Sequence, residues 1–134
     1  MRANAKKLPD SELEIMQVVW NLAEEKEREG KANAVYRFEI EEQLSSVHSM
    51  AMTTLLTLLT RLSEKGFISI EKEGRKSIYI PLIPRAEYQA QQSHSFLDKM
   101  FGGDISSFAA ALQGSGLKKE DLAELRKLLE DDEL

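Results

Sequence analysis

Residues 49–65 read SMAMTTLLTLLTRLSEK, Gly66 closes them, and residues 67–82 continue as FISIEKEGRKSIYIPL. Laid on a helix, the first of these stretches separates its leucines from its threonines. Ala51, Met52, Leu55, Leu58, Leu59 and Leu62 fall on one side at spacings of three and four. Met50, Thr53, Thr57, Thr60, Arg61 and Glu64 fall on the other, with Thr54 at the boundary. The leucine side is a core face. The opposite side lacks the Glu, Lys and Gln of an ordinary solvent face. Threonine costs up to about 0.7 kcal/mol relative to alanine in a helix, so four threonines within eight residues (Thr53, Thr54, Thr57, Thr60) do not serve the helix itself. Small hydroxyl side chains beside an arginine suit close approach to a phosphate backbone and to base edges.

The residues on either side of this helix sharpen that reading. Phe67–Ile70 and Ser77–Leu82 alternate and are rich in β-branched and aromatic residues. The loop EKEGRK between them carries Gly74 near its tip, which predicts a two-stranded hairpin. Upstream, Ser11 with Glu14 matches a capping box and predicts a first helix from Asp10 or Ser11, with Leu13, Met16, Trp20 and Ala23 as its core stripe. The polar run Glu24–Lys31 is either the end of that helix or a solvated loop, with Gly30 as the stop. A short second helix is predicted over Tyr36–Leu44 and a turn at Val47-His48-Ser49. Trp20 and Phe38 are read as core. Three helices followed by a hairpin is the order of a winged helix-turn-helix. Arg75 and Lys76 then stand where a wing meets phosphates.

Pro81 and Pro84 mark a boundary, predicting a winged-helix DNA-binding domain over 1–83 and a helical dimerisation domain over 84–134. In the second part, Arg85–Phe101 carries Tyr88, Phe96 and Met100 along one side. Ile105, Phe108 and Leu112 belong to a short apolar helix, and Leu122, Leu125, Leu128 and Leu129 to a last one. About fifty residues (the 49 of 86–134 and the two before them) are too few to bury three such stripes alone, so a second copy is expected to cover them. The fold class expected is therefore mainly α with a small β-hairpin.

Composition narrows the function. The 134 residues contain no cysteine, which excludes disulfides, thiolate metal sites and cysteine nucleophiles. No apolar run reaches membrane-spanning length, so no membrane insertion and a cytoplasmic location are expected. His48 and His94 stand in no ligand-like spacing, and no phosphate-cradling glycine loop or nucleophile motif occurs, so neither metal, cofactor nor enzymatic activity is expected. The net charge of −5 speaks against nucleic acid until it is divided along the chain. The first 85 residues hold 13 basic and 13 acidic side chains, and the remaining 49 hold 5 and 10. The neutral part is free to meet a polyanion if its cations gather on one face.

These segments resemble the penicillinase and methicillin-resistance repressors, the BlaI/MecI/CopY group of bacterial transcriptional regulators. The resemblance lies in LPDSELEIMQVVW (8–20), TTLLTLLTRLSEKGFI (53–68), KEGRKSIYIPLI (72–83), and the pieces SFLDKMFGG (95–103) and LKKEDLAELRKLLE (117–130). It implies a homodimeric repressor that binds an inverted-repeat operator in double-stranded DNA, with a membrane sensor protease or an antirepressor as a further partner. Carried over by position, its DNA-contacting places fall on Thr53, Thr54, Leu56, Thr57 and Arg61. Met50, Arg75, Lys76 and a basic arm of Arg2, Lys6 and Lys7 complete the expected interface. Leu56 stands where many relatives have arginine, Glu24–Ala34 is longer than the usual connection, and the copper-responsive cysteines are absent. The bond cleaved in some relatives would be Ala110–Ala111, without that site's asparagine and phenylalanine. Two other functions fit the residues alone: a winged helix used for protein–protein contact, and a small-molecule-responsive regulator with a pocket at the domain junction.

Overall fold

The leucine face of the threonine-rich helix is buried as the spacing predicts. A computed structural model describes residues 6–45 and 50–131. In it this helix, α3, spans Met52–Glu64, and Leu55, Leu58, Leu59 and Leu62 are all buried. It packs on α1 (Asp10–Arg28), whose Ile15, Met16, Val19, Trp20 and Ala23 face the same core. The core face is shorter than the sequence suggests. Ala51 precedes the helix as its N-cap, and both Ala51 and Met52 are exposed. At the other end Gly66 takes φ +82°. The amide of Gly66 donates to Ser63 O and that of Phe67 to Leu62 O, at 3.0 and 2.9 Å. This paired closure needs a left-handed residue after the helix and sets Phe67 beside Leu62 in the core.

The capping box expected at Ser11 is not formed. Pro9 occupies the N-cap, so Asp10 and Ser11 already lie inside α1, and Leu13 N donates to Pro9 O at 2.9 Å. The polar run Glu24–Arg28 remains helical, which leaves 29–34 as the connection. Lys26 ties that connection down: its Nζ lies 2.7 Å from both Ala34 O and Glu39 Oε1. The second helix, α2, is Arg37–Ser45. Val35 and Tyr36 are not helical but form a strand, β1. Their partners are distant in sequence, and two residues are too few to show alternation. The turn expected at Val47-His48-Ser49 and the arm residue Arg2 lie outside the described residues.

Of the hairpin strands, β2 (Ile68–Glu73) is longer than predicted and β3 (Lys76–Pro81) is shifted one residue earlier, so the loop shrinks to Gly74-Arg75. Gly74 has φ +66°, which suits a tight two-residue turn with glycine first. β3 is the central strand of an antiparallel sheet ordered β1-β3-β2, with Val35 opposite Tyr79 and Ile70 opposite Tyr79 on its other edge.

The helix after the hairpin, α4 (Arg85–Phe101), begins inside this core. Tyr88, expected on the dimer seam, is only 5% exposed. Its ring lies 5.7 Å from Trp20 and 5.5 Å from Phe67, and its hydroxyl accepts from Leu8 N at 2.9 Å. Trp20 Nε1 donates to Ile83 O at 2.9 Å, so both polar atoms of this aromatic knot are satisfied. The stripe that joins Tyr88 to Phe96 and Met100 is real as helical spacing, but its first residue serves a different core. Internal contacts accordingly divide the chain at Ala90/Gln91, within α4.

The second unit contains the rest of α4, α5 (Ile105–Gln113) and α6 (Lys119–Glu130). Asp104 caps α5, accepting from Ser106 N at 3.0 Å and from Ser107 Oγ at 2.7 Å. The Ser107 hydroxyl, with the backbone amides of Ser106 and Ser107, holds its carboxyl below the usual range. The cap therefore supports α5 above the ordinary carboxylate pKa and is lost as pH falls through the lower native value. Phe101 meets Phe96 and Phe108 edge-on, at 5.8 and 5.5 Å. Among the described residues of this unit none is buried, and Phe96, Met100, Ile105, Leu125, Leu128 and Leu129 are exposed. Leu112 and Leu122 are half-buried. Ala110 and Ala111 lie within α5.

Tyr88→Phe removes the acceptor of the buried Leu8 amide and should destabilise the chain by about 1–3 kcal/mol in urea unfolding. Sedimentation should show no change in association state. A stable variant with altered association would return Tyr88 to an interface.

Candidate nucleic-acid interface

With its leucines buried, α3 presents Thr53, Thr54, Leu56, Thr57, Thr60 and Arg61 to solvent. Two of the threonines are not free hydroxyls. Thr57 Oγ1 donates to Thr53 O at 2.8 Å, and Thr60 Oγ1 to Leu56 O at 2.9 Å. Each hydroxyl hydrogen is committed to the preceding turn, so these side chains offer outward only acceptor lone pairs and a methyl group. Phosphate oxygens need donors, whereas adenine N6 and cytosine N4 need acceptors and thymine offers a methyl. The threonine face is thus better matched to base edges than to the backbone. Arg61 is exposed, and among the described residues no carboxylate lies within ion-pair distance of it. In particular, Arg61 pairs with neither Glu42 nor Glu64. Met50 precedes α3 and packs half-buried against the core.

The end of α3 is fixed to the start of α1. Lys65 Nζ donates to Glu12, a carboxylate only 3% exposed. This pair neutralises Lys65 and leaves Arg61 as the positive charge of the α3 face.

Arg75 stands at the turn of the hairpin and Lys76 beside it, both exposed. Lys76 Nζ lies 5.5 Å from the Tyr36 ring centroid and 5.8 Å from that of Phe38. The two rings are stacked, 5.7 Å apart and 18° from parallel, and Lys26 Nζ lies 5.0 Å from Tyr36. The Tyr36 hydroxyl donates to Glu73. That hydrogen bond first, then desolvation and the charges of Glu73 and Glu39, raise the phenol above its usual pKa, so it remains a donor at neutral pH. Phe38, expected in the core, is 56% exposed. No spacing in the sequence records the meeting of Tyr36, Phe38 and Lys76, because strand pairing brings them together. Lys6 and Lys7 are exposed. Among the described residues no cluster of His, Asp or Glu is arranged to hold a metal, and no helix is long and apolar enough to cross a membrane.

The sequence profile of the penicillinase repressor family matches residues 8–131. The chain is 33% identical over 130 residues to the penicillinase repressor of Bacillus licheniformis, covering 94% of each chain. It is 25% identical over 123 residues to the methicillin resistance regulatory protein MecI of Mammaliicoccus sciuri, covering 91% of this chain and 92% of that one. Among solved structures, it is similar to the solution structure of the DNA binding domain of the repressor BlaI, with a TM-score of 0.49 and 30% identity over 66% of this chain and 94% of that one. The profile runs from the buried Leu8 through α6, and on that extent the chain belongs to the penicillinase repressor family.

Proposed function

We propose that this protein is a DNA-binding transcriptional repressor that acts as a homodimer on an inverted-repeat operator. The observation that carries the reading is the division of α3: four leucines buried, and a face of threonines, Leu56 and Arg61 left open. Laid in a major groove, Thr53, Thr54 and Thr57 would stand nearest base edges, with the committed hydroxyl of Thr57 accepting from an amino group. Leu56 would pack against a thymine methyl. Arg61, the wing pair Arg75 and Lys76, and Lys6 and Lys7 would sit on phosphates. Repression would follow from steric exclusion of the polymerase.

The exposed apolar side chains of the second unit support the dimer. Met100 and Leu129 are 64% and 65% exposed, in a unit with no buried residue among those described. Such a surface is ordinarily covered by a partner. On this reading 1–83 is the winged-helix domain and 84–134 the dimerisation domain, and internal contacts divide the chain nearby, at Ala90/Gln91. Two α3 helices related by a twofold axis would read half-sites about 10 bp or a multiple apart.

In fluorescence anisotropy with an operator duplex, Thr57→Ala should weaken binding about tenfold, from the loss of one base contact, and leave the salt slope unchanged. Arg61→Ala should also reduce the slope of log K against log salt by about 0.9. Wild-type binding in both variants, with the fold intact, would remove α3 from the interface. For the dimer, Met100→Glu with Leu129→Glu in the full chain should yield monomers in sedimentation velocity at micromolar concentration. A species of unchanged mass would refute an interface built on this unit.

A further inference from the structure

The apolar face of α3 does not by itself fix where the helix lies along its own axis. Residues 54–60 read TLLTLLT, which repeats every three residues. In the structure Leu55, Leu58, Leu59 and Leu62 are buried, while Met52 and Leu56 are 40% and 37% exposed. If the helix slides by three residues, Met52, Leu55, Leu56 and Leu59 fill the same four places, and all are again apolar. Slides of one or two residues in either direction put threonine into those places instead. Residues 63–66, none of them buried, can loop out to take up the slack ahead of the buried Phe67.

One contact separates the two placements. Glu12, in the first turn of α1, is the one charged side chain buried among the described residues, and Lys65 at the C-cap of α3 donates to it. In the displaced helix Leu62 takes the place of Lys65, and the buried carboxylate faces a leucine. A buried charge stripped of its partner is heavily penalised, and fixing register is the best-attested use of a buried polar or ionic group.

We propose that the Glu12–Lys65 pair selects the axial position of α3, and that these two residues set DNA specificity without touching DNA. The inference rests on the DNA-binding reading and adds to it two positioning residues. A slide of three residues moves the open face by about 4.5 Å along the helix axis. Leu58 then stands in the place of Arg61, and Thr54 in that of Thr57. The chain keeps its other phosphate-binding cations, so it still holds duplex but no longer reads its sequence.

The test uses the full chain with Glu12→Leu and Lys65→Leu together. The exchange removes both charges and leaves an apolar contact, so stability in urea unfolding should be retained. Native and displaced helices then bury equal numbers of large apolar side chains, and half of them should be displaced. A dimer needs both in place, so affinity for a duplex selected from a random pool by the wild-type chain should fall about fourfold. Affinity for a duplex of arbitrary sequence should not change. Lys65→Arg keeps the charge and should behave as wild type. The chain has no cysteine, so single thiols report the position of α3. In the double variant a thiol from Leu56→Cys should label about twofold more slowly than in the wild-type background, and one from Leu58→Cys should label faster. Faster labelling at both sites would mean general loosening and would overturn the proposal, as would unchanged labelling at both. Labelling as expected, with discrimination between the two duplexes intact, would overturn the specificity role and leave the DNA reading standing. Failure of the wild-type chain to enrich any duplex would overturn both. If the double variant fails to fold, Glu12→Gln is read in the same way.

Discussion

Burial of Leu55, Leu58, Leu59 and Leu62 against α1 fixes the geometry of the whole first unit. Four leucines at helical spacing set the rotation of α3 about its own axis. Once that rotation is set, Thr53, Thr57, Thr60 and Arg61 must face solvent. The Glu12–Lys65 pair then fixes the far end of α3, and the glycine closure at Gly66 turns the chain directly into β2. The wing is placed by the same residues that end the helix. A shift of one residue in α3 would bury threonines and expose leucines, so the chemistry of the open face depends on packing beneath it.

The open face carries little charge. The acidic excess of the chain lies after residue 85, and Glu12 neutralises Lys65, which leaves Arg61 as the cation of α3. The binding proposed for this surface would therefore draw on methyl groups and hydroxyl acceptors as well as on phosphate charge. Back-bonding of Thr57 and Thr60 to their own helix changes what those hydroxyls offer. The sequence suits these hydroxyls to a phosphate backbone and to base edges alike; the back-bonded geometry favours base amino groups. Leu56 brings methyl groups and no charge to this face, which suits a target read more by shape and methyl contact than by charge.

Local periodicity makes much of this legible. The leucine–threonine split, the stop at Gly66, the hairpin and the helical second part all arise from patterns within a few residues of one another. The features that escape it are made by distant partners. β1 is a strand only because Val35 and Tyr36 pair with Tyr79 and Ile78. Phe38 looks like core by residue type, yet its stacking partner sits on the sheet's outer edge strand and leaves it exposed. Tyr88 has the spacing of a dimer seam, but Trp20, Phe67 and the Leu8 amide bind it into the first unit. At Ser11 the capping box is present as a pattern and lost to Pro9, whose fixed backbone starts the helix earlier.

The contact with DNA proposed for α3 and the wing, and not for the acidic second unit, can be tested residue by residue. Backbone amide spectra of the isotopically labelled full chain, recorded while duplex is titrated in, report on every element at once. The largest shifts should fall on residues 53–61 and 71–77, with 105–131 unmoved beyond the uniform broadening of a larger complex. Shifts concentrated in 105–131, or saturation with no response from α3, would contradict that assignment.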